Sequence, residues 1–124
     1  MSYKIAVVVG SLRRDSINRK LANALEKLGP ADFSFSQVRL DDLPGKPAGV
    51  IGASGGAPGT SLAQQHLRNI LAYLDMPTLG QPEAFIQVKE GFFGADGSIA
   101  NESSRKFLQT WMDRYVAWVK KHAA

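Results

Sequence analysis

An apolar strand followed at once by a polar turn and a helix constrains the fold of this chain most. Residues 4–9, KIAVVV, form a run rich in β-branched side chains that stops at Gly10. Such a run is typical of a strand buried in a parallel sheet. Residues 16–28 then repeat apolar side chains at helical spacing, at Ile17, Leu21, Leu25 and Leu28. A buried strand leading into an amphipathic helix predicts an α/β fold with a mainly parallel sheet.

The rest of the chain continues this alternation of strands and helices. Further strands are predicted at residues 33–40, 50–53 and 84–88, and further helices at 62–74 and about 104–122. The second helix has its apolar face at Leu62, Leu67, Ile70, Leu71 and Leu74, and the aromatic residues Trp111, Tyr115 and Trp118 of the third are predicted core or interface residues. The order β-α-β-β-α-β-α over 124 residues predicts one domain spanning residues 1–124.

One connection breaks the alternation. Residues 40–48, LDDLPGKPA, join two predicted strands without a helix. Two parallel strands of one sheet need a crossover of about a dozen residues or more. Either these two strands are antiparallel, or a segment that belongs here is absent.

Composition narrows the possible partners. The formal net charge is +4, the basic residues are scattered, and there is no cysteine. Scattered basic residues favour small anionic ligands over nucleic acid, and the missing cysteine rules out disulfides and a thiolate nucleophile in this sequence. Neither a membrane-spanning stretch nor a signal peptide is recognisable, so we expect a cytoplasmic protein with no membrane partner. No group of histidine and carboxylate residues has metal-ligand spacing, so no metal site is expected.

The polar turn GSLRRDSIN, Gly10–Asn18, is the first candidate site. Ligands of open α/β sheets bind beyond the carboxyl ends of the strands, and the free N–H groups at a helix N-terminus favour an anion. Arginine adds two parallel hydrogen bonds to a phosphate. The alternative is that Asp15 or Ser16 simply caps the helix and that the arginines are solvated. The turn matches neither the Walker pattern nor G-x-G-x-x-G.

The second candidate is the loop SGGAPGT, Ser54–Thr60, which follows a predicted strand. Its three glycines allow a backbone to approach a flat ligand closely. The alternative is a flexible βα loop with Thr60 as the helix N-cap. His66, His122 and the isolated acidic residues offer no arrangement typical of a catalytic acid, base or nucleophile.

These stretches together resemble the NAD(P)H-dependent FMN reductase family, a flavodoxin-like group that includes chromate, quinone and azo-dye reductases. The resemblance is carried by GSLRRDSIN, GKPAGVIGAS, QQHLRNILAYLDM and QPEAF, which occur in the family's order. It implies a three-layer α/β/α fold, bound FMN, and NAD(P)H as the reducing substrate. It further implies a quinone, azo, metal-oxyanion or flavin acceptor, and a homodimer or homotetramer.

The resemblance also implies which residues bind the cofactor. In the first loop these are Ser11, Arg13, Ser16, Ile17 and Asn18, around the FMN phosphate. In the second loop they are Ser54, Gly55 and Gly56, near the flavin ring. No catalytic side chain is implied, because the flavin itself carries the redox chemistry.

The sequence departs from the family between Pro44 and Gly45. There the family has a helix, a central strand ending in a P-E-Y-N loop, and another helix, a block of roughly 50–70 residues. Three explanations are open: the sequence omits a segment of the protein, the segment is deleted from the protein, or the chain shares the family's ancestry but has another function. We expect the first, which predicts a gap between Pro44 and Gly45. The alternatives to a reductase are therefore a non-catalytic phosphate- or FMN-binding module and a structural remnant that persists by oligomerising.

Overall fold

The computed structural model describes residues 3–9, 15–37 and 44–123. Their order is the predicted one. The strands are β1 (Tyr3–Val7), β2 (Phe33–Gln37), β3 (Gly52–Ser54) and β4 (Phe85–Gln87), and the helices are α1 (Ile17–Glu26), α2 (Ser61–Tyr73) and α3 (Glu102–His122). No helix in the described part of the chain is long and apolar enough to cross a membrane.

The strands form two separate parallel pairs. β1 pairs with β2, with Tyr3 opposite Phe33, and β3 pairs with β4, with Gly52 opposite Phe85. The parallel ladders confirm the prediction of a mainly parallel α/β fold. Among the described residues β2 and β3 do not pair, so the antiparallel explanation for their short connection is wrong.

The described chain resumes at Pro44 with a turn, and the predicted missing segment stays a prediction. Pro44 and Gly45 lie in one turn, in which Gly45 has a φ of +77° and donates its N–H to the carbonyl oxygen of Asp75 at 2.9 Å. Three residues later Ala48 forms a parallel bridge with Thr78. The chain therefore enters β3 directly from this turn, without a crossover helix.

The hydrophobic core lies against α3. Leu108 is fully buried, and Trp111, Met112, Tyr115 and Val119 are buried on the same side of the helix. The Trp111 and Tyr115 rings stack with their centroids 5.4 Å apart. Because both rings join the same cluster as Ile5 of β1 and Leu21 of α1, their predicted place in the core is confirmed.

The apolar face predicted for α2 is largely uncovered. Leu62 is 75% exposed, Ile70 55% and Leu67 43%, and Leu71 alone among the predicted positions is buried. The helix itself is present, so the periodicity predicted its existence correctly but its environment wrongly. The physical reason is that no element of the described chain packs over that side of α2.

The pH dependence of stability should report the burial of Tyr115. Burial raises the pKa of this phenol from 10.0 to about 12. The folded protein holds the neutral form, so the contribution of Tyr115 to stability is fully present below pH 10 and is lost as the pH rises towards 12. We expect the difference between the ultraviolet phenolate titrations of the wild type and Tyr115→Phe to have its midpoint near pH 12. A midpoint near the unperturbed value of 10.0 would contradict the buried placement.

Candidate functional site

Ser16 caps the N-terminus of α1. Its Oγ accepts a hydrogen bond from the backbone N–H of Arg19 at 3.2 Å, and the residue is only 3% exposed. Asp15 instead forms an exposed ion pair with Lys20 at 2.7 Å. The capping interpretation is therefore confirmed for Ser16. Because a hydroxyl that accepts one bond still has a proton to donate, capping leaves Ser16 able to contact a phosphate.

Asn18 connects the first turn of α1 to β3. Its Oδ1 accepts the backbone N–H of Ala53 at 2.9 Å, across 35 positions of sequence. This bond places the N-terminus of α1 beside the strand that leads into the glycine-rich loop. The described end of the first candidate loop, residues 15–18, is thereby brought beside the strand that precedes the second loop. No described residue accepts a hydrogen bond from Nδ2 of Asn18, so this group can donate to a ligand.

Replacing Asn18 should destabilise the fold at this junction. Asn18→Ala removes the acceptor for the part-buried N–H of Ala53, which we expect to lower the free energy of unfolding by about 1–3 kcal/mol. Urea denaturation measures the change. Asn23→Ala is the matched control, because Asn23 is an exposed residue of the same helix, and it should change stability by less than about 0.5 kcal/mol. Equal losses in the two variants would contradict a specific role for the Asn18 bond.

The glycine-rich loop is closed by Ser54. The Ser54 hydroxyl donates to the carbonyl oxygen of Gly59 at 2.6 Å. Gly59 has a φ of +58°, and a Cβ there would lie 2.9 Å from the backbone of Phe85, so glycine is required at this position. Gly55 and Gly56 are exposed, and a Cβ on Gly55 would meet no atom within 4 Å. Their backbones are therefore open to a ligand.

Thr60 takes the N-cap position of α2 without capping it through its side chain. Its Oγ1 accepts a hydrogen bond from Nε2 of Gln64 at 2.9 Å, and the same nitrogen donates to the carbonyl oxygen of Ala84 at 2.8 Å. Gln64 is 3% exposed, and its Oε1 has no hydrogen-bond partner among the described residues. Our sequence analysis missed this residue. Its spacing of four and then three from Arg68 and Leu71, on the side of α2 that packs inward, was the available signal.

A cavity of about 270 Å³ lies between the two strand pairs. Its lining includes residues 5–9, from β1 and the positions after it, and residues 49–52, which lead into β3. Residues of all three helices complete the lining, among them Asn18, Gln64 and Tyr115. Most of the lining is apolar, and Asn18 links it to the α1 N-terminus.

The structure describes only some of the remaining residues that the sequence analysis considered for the site. Ser11 and Arg13 lie outside the described residues, so their roles stay predictions. Ile17 is half-buried at the start of α1. His66 is exposed on α2, whereas His122 packs against the ring of Trp118 with centroids 4.1 Å apart. Among the described residues, neither histidine lines the cavity or bonds to Asn18 or Ser54.

The described residues at this edge fit the phosphate end of FMN. The first turn of α1 carries no acidic side chain that would repel a phosphate. Free N–H groups at a helix N-terminus and the remaining donors of Ser16 and Asn18 are the groups that a phosphate monoester needs. The backbone of Gly55 is also accessible, because a Cβ at this position would meet no atom within 4 Å.

Known proteins resemble this chain over nearly its whole length. A family model described as NADPH-dependent FMN reductase matches residues 41–91. A 2-hydroxy-1,4-benzoquinone reductase from Burkholderia sp is 37% identical, with 97% of this chain and 98% of the relative covered. A quinone reductase from Pseudomonas putida is 29% identical, with 98% and 97% covered. The structure of FerB, a flavoenzyme NAD(P)H:(acceptor) oxidoreductase from Paracoccus denitrificans, superimposes with a TM-score of 0.89 at 29% identity, covering 97% of this chain and 98% of FerB.

The alignment with the Burkholderia relative has a further consequence. It runs over 179 positions, whereas this chain has 124 residues. Because both proteins are covered almost end to end, the extra residues of the relative lie inside the aligned region. With a relative of this identity matched along its length, the chain belongs to the NADPH-dependent FMN reductase family and has its flavodoxin-like α/β fold.

Proposed function

We propose that this chain is an FMN-dependent oxidoreductase that takes a hydride from NAD(P)H and reduces a small-molecule acceptor, with quinones as the first candidates. One observation carries the proposal. The bond from Asn18 to Ala53 sets the donor-rich N-terminus of α1 beside the glycine-rich loop. The family to which the chain belongs and the quinone-reductase relatives support the same function.

The phosphate of FMN would be held by the first turn of α1. The backbone N–H groups of that turn, the Ser16 hydroxyl and the Asn18 amide are the described donors, and Ser11 and Arg13 are the proposed additional ones. Ser16 and Asn18 each make a fixed contact to the backbone, to Arg19 and Ala53 respectively. Their donors are therefore preorganised, which lowers the ordering cost of binding.

The flavin ring would lie near the loop Ser54–Gly56. Ser54 holds the loop by its bond to Gly59, so the exposed backbone of Gly55 and Gly56 keeps one position. When bound, FMN supplies the hydride-transfer chemistry, and the protein supplies binding and orientation. This division explains why the site needs no side chain acting as a general base.

We further propose that the protein acts in the cytoplasm as a homodimer or homotetramer. The exposed apolar side chains of α2, Leu62 and Ile70 among them, support association. Exposed apolar surface of this kind marks interaction sites on soluble proteins. Small-molecule acceptors are the expected redox partners, and no nucleic acid or membrane is part of the proposal.

The test is the oxidation of NADPH and NADH by the purified protein with added FMN and benzoquinone. We expect quinone-dependent turnover that saturates with FMN and disappears when FMN is omitted. A rate no higher than that of free FMN with the same reagents would contradict the proposal. FMN binding without turnover would instead favour the non-catalytic binding module, for which the additional internal residues of the Burkholderia relative are the supporting observation.

A further inference from the structure

The loop between β3 and α2 has its carbonyl groups bonded within the protein. The carbonyl oxygen of Ser54 accepts the backbone N–H of Val88 at 2.8 Å. The carbonyl oxygen of Gly56 accepts the backbone N–H of Gly59 at 3.0 Å, and the carbonyl oxygen of Gly59 accepts the Ser54 hydroxyl at 2.6 Å. Within the exposed glycine pair, these bonds leave the carbonyl oxygen of Gly55 to be accounted for.

The side chain of Gln87 bonds to that carbonyl. Gln87 is the last residue of β4 and lies opposite Ser54 in the parallel ladder. Paired residues of a ladder direct their side chains to the same face of the sheet, so the amide of Gln87 lies at the start of the loop. Its Nε2 donates to the carbonyl oxygen of Gly55 at 3.4 Å.

The N–H groups of the two glycines are free. Among the described residues, neither Gly55 nor Gly56 donates its backbone N–H to an acceptor. Both residues are exposed. Because the carbonyl oxygens are bonded and the N–H groups are not, this part of the loop offers a ligand hydrogen-bond donors rather than acceptors.

One peptide unit connects the Gln87 contact to a free donor. The carbonyl of Gly55 and the N–H of Gly56 belong to the same planar peptide, and in the trans form they point in opposite directions. Glycine on both sides of the peptide allows it to rotate with little steric hindrance. By holding the carbonyl, Gln87 therefore keeps the N–H of Gly56 on the opposite side, where a ligand can accept it.

From these observations we infer that Gln87 is a positioning residue for the flavin ring. It holds the Gly55–Gly56 peptide in one orientation and so makes the N–H of Gly56 available to an acceptor atom of the ring. The pyrimidine part of the ring carries carbonyl oxygens and ring nitrogens that accept hydrogen bonds. The inference rests on the proposed function, which places the ring near Ser54–Gly56.

The length of the Gln87 bond sets the expected size of its effects. At 3.4 Å it is longer than the usual range of about 2.7–3.2 Å for N–H···O bonds, and it is exposed. Such a bond contributes little to overall stability, so we expect the midpoint of urea denaturation to stay unchanged when Gln87 is replaced. The orientation of two adjacent glycines depends on few contacts, so the order of the loop should respond.

The first measurement follows the loop in the flavin-free protein. Gln87→Met removes the amide at nearly constant side-chain length and should lower the heteronuclear NOE of the Gly55 and Gly56 amides, because the released peptide moves more on the nanosecond timescale. Gln65→Met is the matched control, since the Gln65 amide bonds to Glu83 at 2.9 Å and not to the loop. It should leave both signals unchanged. Unchanged NOE values in Gln87→Met would overturn the inference.

The second measurement is the affinity for flavin, obtained from the quenching of flavin fluorescence. Gln87→Met should weaken FMN binding about three- to tenfold, which corresponds to the loss of one neutral hydrogen bond. Riboflavin has the ring but no phosphate, and its affinity should fall by the same factor. Gln65→Met should change either affinity by less than about twofold. A loss confined to FMN would place the effect at the phosphate and overturn the inference.

Gln87→Glu separates positioning from a direct contact with the ring. The carboxylate keeps the size of the side chain and an acceptor oxygen, but it cannot donate to the carbonyl of Gly55. A positioning role predicts that riboflavin affinity falls at least as much as in Gln87→Met. If Gln87→Glu binds riboflavin as the wild type does while Gln87→Met does not, the oxygen of Gln87 contacts the ring directly and the inference is overturned.

Failure of this inference is distinguishable from failure of the proposed function. A wild-type protein that binds no flavin would contradict the proposed function and, with it, a role of Gln87 towards the ring. Wild-type FMN binding and quinone-dependent turnover, together with unchanged loop order in Gln87→Met, would overturn the role of Gln87 alone.

Discussion

Replacing Leu108 by alanine is expected to lower the free energy of unfolding by about 2–5 kcal/mol, the largest stability effect that we predict for the chain. Leu108 is fully buried in the middle of α3 and belongs to the core cluster that joins α1 and α3 to the strands. The substitution removes buried methyl groups and leaves a cavity that a close-packed interior fills only in part. Chemical denaturation gives the change.

Arg105→Ala provides the control for this prediction. Arg105 is an exposed residue of the same helix. We expect a change of less than about 0.5 kcal/mol, as is usual for surface positions. If the two substitutions destabilise the protein equally, the arrangement of the core around α3 is wrong.

Replacing Arg13 by alanine is expected to weaken FMN binding by about 10- to 150-fold. The proposed role of Arg13 is a charge-assisted hydrogen bond to the phosphate, and the loss of one such bond costs about 1.5–3 kcal/mol. Titration of the flavin-free protein with FMN, followed by quenching of flavin fluorescence, measures the affinity.

Arg14→Ala is a closely matched control for this experiment. It removes the same charge one position away, at a residue outside the pattern G-S-x-R-x-x-S-x-N that carries the family resemblance. We expect at most a few-fold loss, since a solvated charge near a ligand contributes little and is screened by salt. Equal losses at both positions would indicate general electrostatic attraction and would remove Arg13 from the phosphate site.

The order of the elements could be predicted from the sequence because each depends on a local pattern. The run KIAVVV and the helical spacing of Leu21 and Leu25 specify β1 and α1 without reference to distant residues. The buried face of α3 was predictable for the same reason, since Leu108, Met112 and Tyr115 recur at helical spacing.

The environment of α2 could not be predicted in this way. Periodicity shows which face of a helix needs cover, but not whether the chain supplies the cover. Leu62 and Ile70 are exposed although their pattern is as regular as that of α3. The separation of the strands into two pairs could not be predicted for the same reason. The short connection through Pro44 and Gly45 contains no segment that could lie between the two pairs.

The candidate site was predictable in its parts and not in its assembly. Ser16 and Ser54 stand at recognisable positions after strands, but the bond from Asn18 to Ala53 joins residues 35 positions apart and depends on tertiary packing. The double contact of Gln64 with Thr60 and Ala84 is equally non-local. Ser16 shows a further limit, because a cap and a phosphate ligand require the same residue type at the same place.

Native mass spectrometry of the protein, purified and then incubated with excess FMN, tests the central claim most directly, because it reports subunit mass and bound cofactor together. The account predicts subunits of 13.4 kDa that each carry one FMN. The Arg13→Ala variant should retain less FMN than Arg14→Ala under the same conditions. Subunits of 13.4 kDa that stay free of flavin would contradict the claim that this chain is an FMN-dependent oxidoreductase.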